Sequence, residues 1–298
     1  MESSTVSERK KLTRREILEK KKAIEQLLKA ASAQIDHLAS FPSFRCFNRN
    51  GLCLCLESGR GDKLSHCTKQ CIQNLLKANM EGPYGSEWAV EEKVKRREMV
   101  APEARYVFVL RNANEAMMDS APTPLLGFLH YRFTLEEEIP VLYLYELQLD
   151  SSVQGKGLGK FLMELVELIA QENRMGAVVL TVQKSNSLAM KFYISKLRLR
   201  FEQQIHRHKC LRTRKEQLEQ LGETGRKKER TKLNKNKLKE WENPPQDSFE
   251  RELSHLKFRY VVSSISPSRV DPLAGVKSNY EILCKTFDHE AKVILEAC

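Results

Sequence analysis

The stretch from Val141 to Ala170 constrains the fold more than any other, because it reads as strand, glycine turn and helix without a break. Residues 141–150, VLYLYELQLD, mix aromatic and aliphatic side chains around Glu146 and hold no Gly or Pro, the pattern of a strand buried on both faces. An acid in such a strand is out of place. The glycines of Gln154-Gly155-Lys156-Gly157-Leu158-Gly159-Lys160 then let main-chain amides turn toward one point at the start of a helix, where unpaired N–H groups and the helix dipole attract phosphate. Phe161, Leu162, Leu165, Val166, Leu168 and Ile169 give that helix its apolar face.

The glycine spacing is neither the Walker pattern nor the six-position dinucleotide fingerprint. It resembles the Gln/Arg-x-x-Gly-x-Gly/Ala signature of the GCN5-related N-acetyltransferases, the GNAT superfamily. The flanking parts occur in that family's order: an aromatic strand, the glycine loop, a long amphipathic helix, a second apolar strand at Ala177–Val182, then Asn186-x-x-Ala189-x-x-Phe192-Tyr193. The resemblance implies a mixed α/β GNAT fold, a mostly antiparallel twisted sheet of about seven strands flanked by helices. It also implies acetyl-CoA as cosubstrate and no metal.

Further motifs narrow the likeness. Phe41-Pro-x-Phe44, Asn48-Arg-Asn-Gly51, Ser86-Glu-Trp88, Tyr143-x-Tyr145-Glu146-x-Gln148-Leu149 and Tyr280-Glu-Ile-Leu283 resemble the NatD type, the histone-specific N-terminal acetyltransferases. That resemblance implies transfer of acetyl to the α-amine of histone 4 and histone 2A tails, which begin Ser-Gly-Arg-Gly, with no obligate auxiliary subunit. It places Leu147, Gln148 and Leu149 against pantetheine and the thioester. The amides of Gln154, Gly155, Lys156, Gly157, Leu158, Gly159 and Lys160 fall on pyrophosphate, with Asn186 as a further coenzyme contact. Tyr84, Trp88, Glu136, Tyr143, Tyr145 and Tyr280 fall around the peptide end. Tyr193 matches the tyrosine many GNAT enzymes set near the coenzyme sulfur, where a phenol can protonate the departing thiolate. NatD-type sequences have a further acid where this chain has Thr134.

The chemistry fits these residue types. Acetyl transfer to an amine needs a neutral amine, a stabilised oxyanion and a leaving thiolate. An α-amine titrates near ~8 against ~10.4 for lysine, so a modest base suffices. Glu146 is the candidate base, acting directly or through water, with Tyr145 beside it. Read from residue types alone, the alternatives are that Glu146 is a carboxylate paired to a neighbouring donor and that Trp88 and one or more of the tyrosines are core aromatics.

Charge is segregated along the chain. Its 50 Lys+Arg and 39 Asp+Glu give +11, yet residues 1–30 and 198–259 together hold twenty-seven of the basic and fifteen of the acidic residues. The remainder is about neutral, which argues against a nucleic-acid groove through the core. The basic segments leave contact with nucleic acid or a ribosome open. Eight cysteines form no CxxC pair, so a zinc site is not indicated and reduced intracellular thiols fit better. No apolar stretch is long enough to span a membrane, and the expected setting is nucleus and cytoplasm.

Four segments follow. Residues 1–40 form a basic helical segment, with a helix over 9–39. Residues 41–197 form the acetyltransferase core: a turn at Asn48–Gly51, a first strand over 52–56 and a helix over 62–80 broken by Gly82-Pro83. Ser86 caps the next helix, strands follow over 106–110 and 125–133, a turn over 134–138, and a last helix over 187–197. Residues 198–259, rich in Lys, Arg, Glu and Gln, read as a charged insertion, partly helical or disordered. Residues 260–298 supply closing strands at 260–265 and 279–284. A lysine acetyltransferase on basic proteins, and a catalytically impaired chromatin or nucleic-acid adaptor, are the competing functions.

Overall fold

The computed structural model describes residues 13–112, 125–195, 197, 260–270 and 278–296. The polar 112–124 loop, apart from Asn112, and the 198–259 insertion lie outside the described residues. Two compact units are present, one of residues 1–190 with 261–298 and one of 191–260. The first carries an eight-stranded sheet in the order β1-β2-β3-β4-β5-β6-β8-β7. Its strands are β1 (Cys46–Arg49), β2 (Leu52–Arg60), β3 (Arg105–Arg111), β4 (Leu125–Glu136), β5 (Ile139–Leu149), β6 (Ala177–Gln183), β7 (Val261–Val262) and β8 (Tyr280–Thr286). Every neighbouring pair is antiparallel except β5 and β6, which run parallel. The mixed α/β sheet is the architecture the strand–loop–helix unit implies, with one strand more than the seven expected.

Helices α1 (Arg14–Ala33), α2 (His66–Tyr84), α3 (Trp88–Glu98), α4 (Leu158–Glu172), α5 (Ser187–Ile194), α6 (Pro267–Val270) and α7 (His289–Leu295) complete the described residues. The α4 helix returns the chain from β5 to β6, the crossover a parallel pair requires. Leu158, Phe161, Leu162, Leu165, Val166, Ile169 and Ala170 on α4 are buried. Leu168, expected on the apolar face, is half-buried, and Glu164 and Glu167 are buried in its stead.

Several expected boundaries move for local reasons. The 9–39 helix is shorter at both described ends: Thr13 and Glu16 close a capping box before Arg14, and Gln34 turns extended after Ala33. Asn48 and Arg49 belong to β1, because the turn needs only Asn50 and Gly51, both left-handed (φ 53° and 73°), the pattern of a two-residue hairpin. Pro83 does not break α2, which runs to Tyr84 and ends where Gly85 takes φ 56° and its amide caps Glu81 and Gly82 carbonyls. Ser86 caps nothing; it lies in a 3-10 turn (Gly85–Glu87) that leads straight into α3. Thr134, Leu135 and Glu136 extend β4, and only Glu137 and Glu138, at φ 48° and 66°, make the turn. The last expected helix stops at Ile194, and the 260–265 strand shrinks to Val261–Val262 while β8 runs on to Thr286.

Candidate active site

One irregularity in β5 builds the site. His130 pairs with Glu146 while the next residue, Tyr131, pairs with Leu144, so Tyr145 is an extra residue on β5. Cross-strand partners share a face, and His130 and Arg132, two apart, share one. Arg132 pairs with Tyr143. The bulge therefore brings Tyr143 and Glu146, three residues apart, onto the same face, which a regular strand forbids.

Glu146 is buried there at 8% exposure and is not alone among apolar groups. Its Oε1 lies 2.6 Å from Lys95 Nζ of α3, an ion-pair contact, and its Oε2 accepts from Gln148 Nε2 at 2.8 Å. Gln148 is held in turn by Asn79 of α2, whose amide donates to Gln148 Oε1 (2.9 Å) and to the Leu149 carbonyl (3.0 Å). The paired-carboxylate reading of Glu146 is thus part of its geometry, and the base role has to work from within that pair.

Lys95 also stands 3.8 Å from Glu98 and 5.9 Å over the Tyr84 ring. Burial works against its ammonium, but Glu146 and Tyr84 outweigh that and hold it above the ordinary lysine range. Burial pushes the Glu98 carboxyl up, with Lys95 pulling the other way. The His130 ring stacks between Tyr106 and Tyr145, at 5.0 and 4.9 Å. Burial, with Arg132 and Lys95 nearby, lowers His130 to about 3, so its ring is neutral. Arg132 lies 4.5 Å over Tyr145 and donates to the Glu98 carbonyl at 2.7 Å. Lys95, Glu98, His130 and Glu146 border a cavity of about 10 Å³, the room of one water.

The other predicted substrate residues gather nearby. Tyr143 and Tyr145 lie 5.1 Å apart, and Tyr143 bridges to Thr181 of β6 through its hydroxyl at 2.5 Å. Burial raises the Tyr143 phenol, the Thr181 bond lowers it, and Glu136, Tyr145 and Tyr280 then act on it, which places those four side chains in one neighbourhood. Glu136 is half-buried and Tyr280 is exposed. Tyr84 and Trp88 flank the α2–α3 corner with rings 6.0 Å apart; Trp88 is buried. The corner is tied down by Ser185 to the Pro83 carbonyl and by Asn279 to Glu87.

Pairing of β5 with β6 ends at Leu144 and Leu180. Beyond it β5 pairs only with β4, and β6 only with β8, so the two strands part beside Tyr145, Glu146, Leu147, Gln148 and Leu149. The glycine loop follows at once. Gly155 and Gly157 adopt φ 70° and 84°, and Gly157 caps α4 without a side chain, leaving the amides of Leu158, Gly159 and Lys160 at the positive helix end. Lys156 and Lys160 add charge, so these residues suit a pyrophosphate. Gln154 donates instead to the Leu149 carbonyl at 2.8 Å, which fixes the loop to the strand. Asn186 accepts from the Ala189 amide as a cap of α5. Tyr193 belongs to the second unit, where its ring meets Tyr260 edge-on at 5.8 Å. Among the described residues no three His, Cys, Asp or Glu side chains form a metal-holding group, and no helix is long and apolar enough to cross a membrane.

The open mixed sheet, the parting of β5 from β6 and the glycine loop between them define the class, a mixed α/β fold. Residues 71–197 match the model of the acetyltransferase (GNAT) family. Among solved structures the chain is similar to the NatC complex bound to Gag peptide and CoA (17% identity, covering 46% of this chain and 80% of that one, TM-score 0.34). It is also similar to the PaiA N-acetyltransferase of Thermoplasma acidophilum in complex with coenzyme A (18%, 46% and 86%, 0.34). A third is the aminoglycoside acetyltransferase meta-AAC0020 from an uncultured soil metagenomic sample (19%, 47% and 84%, 0.34).

Proposed function

We propose that this chain transfers acetyl from acetyl-CoA to the N-terminal α-amine of histone 4 and histone 2A tails, without a metal and without an obligate second subunit. The observation that carries the reading is the parting of β5 from β6 directly beside Glu146, with the glycine loop as the next segment. The thioester supplies an activated acyl carbon when bound. The amides at the start of α4 grip its pyrophosphate, and the parted edge of β5 is where pantetheine lies. Glu146 then accepts the amine proton, directly or through one water in the adjoining cavity, while the amine nitrogen bonds to the acyl carbon, the carbon–sulfur bond breaks and coenzyme A leaves as a thiolate that takes up a proton from water.

Substrate choice rests on the walls. Tyr84, Trp88, Tyr143 and Tyr145 are assigned to a small Ser-Gly start, and Glu136, with Glu137 and Glu138 at the β4–β5 turn, offers negative charge to the following Arg. Histone contact places the enzyme in the nucleus and cytoplasm. Mass spectrometry of a Ser-Gly-Arg-Gly peptide, free and N-terminally blocked, tests the reading. Acetylation of the free peptide alone is the expected result. Modification of the blocked peptide at lysine would give the site to an ε-amine enzyme, and salt-sensitive nucleic-acid binding without turnover would make the chain an adaptor.

A further inference from the structure

We infer that Lys95 is a positioning residue for Glu146, fixing the orientation and charge of the carboxylate from the helix that also starts the peptide wall. The inference rests on Glu146 acting in the proposed reaction. A buried ion pair is a poor stabilising device, since two apolar side chains of similar volume hold a core at least as well. Lys95 and Glu146 are 13% and 9% exposed at their side chains, so both have given up most of their water. What the pair supplies is direction. Each carboxylate oxygen has its own fastener, Lys95 reaching Oε1 from α3 and Gln148 holding Oε2 with Asn79 of α2 behind it.

Among the described residues the rest of the surroundings does not duplicate Lys95. Glu98 of α3 repels Glu146, and Tyr106 of β3 faces it with a phenol whose hydroxyl is already donated to the Met99 carbonyl. His130 of β4 is neutral, and Arg132 is engaged with the Glu98 carbonyl and the Tyr145 ring. Tyr84 faces the pair from the end of α2. Lys95 is seven residues beyond Trp88, two turns along one helix face, so a shift of the α2–α3 corner is passed to Glu146 through α3.

Lys95→Met keeps the length and apolar stem and removes the charge. It should bind acetyl-CoA as the wild type does, lose ~10–100-fold in kcat on the free peptide and change the peptide KM less than ~3-fold, the split of a residue acting through the base. The same substitution should cost almost nothing further in a Glu146→Gln background. A readout independent of turnover is the infrared carboxylate band of Glu146, taken as wild type minus Glu146→Gln. In Lys95→Met at neutral pH it should give way to a protonated carbonyl band, because an unpaired buried carboxylate takes up a proton. Folded Lys95→Met with wild-type kcat, an equal loss in both backgrounds, or an unchanged carboxylate band would overturn the inference. A wild type inert toward every amine would sink the proposed function separately, and the infrared comparison would still decide Lys95.

Discussion

The side-chain amide of Asn50, at the tip of the β1–β2 hairpin, donates to the main-chain carbonyl of Lys156 in the glycine loop at 2.8 Å. The hairpin thus braces a loop whose own glycines give it freedom. Asn50 is left-handed at φ 53°, so Asn50→Gly removes the brace without straining the turn. A hydrogen bond of this kind is worth ~0.5–1.5 kcal/mol. The KM for acetyl-CoA should rise ~2–10-fold with the peptide KM unchanged, as steady-state kinetics in both substrates will read.

Glu146→Gln is nearly isosteric and keeps a hydrogen-bond acceptor for Gln148, but it cannot take a proton. It should bind acetyl-CoA with wild-type affinity by calorimetry and turn over the free Ser-Gly-Arg-Gly peptide ~10²–10⁴-fold more slowly near neutral pH. Activity within a factor of ~3 of wild type would remove Glu146 from the proton transfer.

The glycine loop, its helix and the strands on either side were legible because period, glycine spacing and length agree at each of them. The bulge at Tyr145 was not. One extra residue leaves no mark on composition, yet it decides which face Glu146 takes. Lys95 and Glu98 were hidden for another reason: in WAVEEKVKRRE they read as part of a solvated charged face, and only tertiary packing singles out which charges turn inward. Glu164 and Glu167 were missed likewise, as acids on the polar side of an amphipathic helix that β8 and its neighbours cover.

Two buried groups should tilt stability with pH in opposite directions. Burial, then Glu167 against Arg49, Lys160 and Lys285, pushes the Glu164 carboxyl up to about 7 from its ordinary 4.5. The folded state holds that proton longer than the unfolded chain, so its stabilising effect is full below about 4.5 and is lost as pH rises to about 7. Glu164→Gln escapes the loss, and its Tm advantage over wild type should be ~3 °C or more larger at pH 8 than at pH 5. His130, lowered to about 3, works the other way: the unfolded chain takes up a proton below about 6.5 that the folded state refuses until about 3. His130→Phe keeps the ring stack with Tyr106 and Tyr145 and should flatten the fall in Tm between pH 6 and 4 seen in thermal melts.

The Lys285 ammonium of β8 meets the Glu167 carboxylate of α4, both buried, so the crossover helix and a closing strand are joined by opposite charges. Removing one partner leaves the other charge in a dry setting, a cost of ~3–5 kcal/mol. Lys285→Met should therefore lower Tm by ~10 °C in a domain of this size. Glu167→Leu alone should do similar harm by removing the carboxylate that the ammonium meets. The double variant Lys285→Met with Glu167→Leu fills the same space with apolar groups and should recover most of both losses, because the price of the pair is desolvation and its absence removes that cost. Thermal melts of the four proteins close the cycle. A double variant that falls by the sum of the singles would mean that each side chain is held by its other neighbours, with no coupling across α4 and β8.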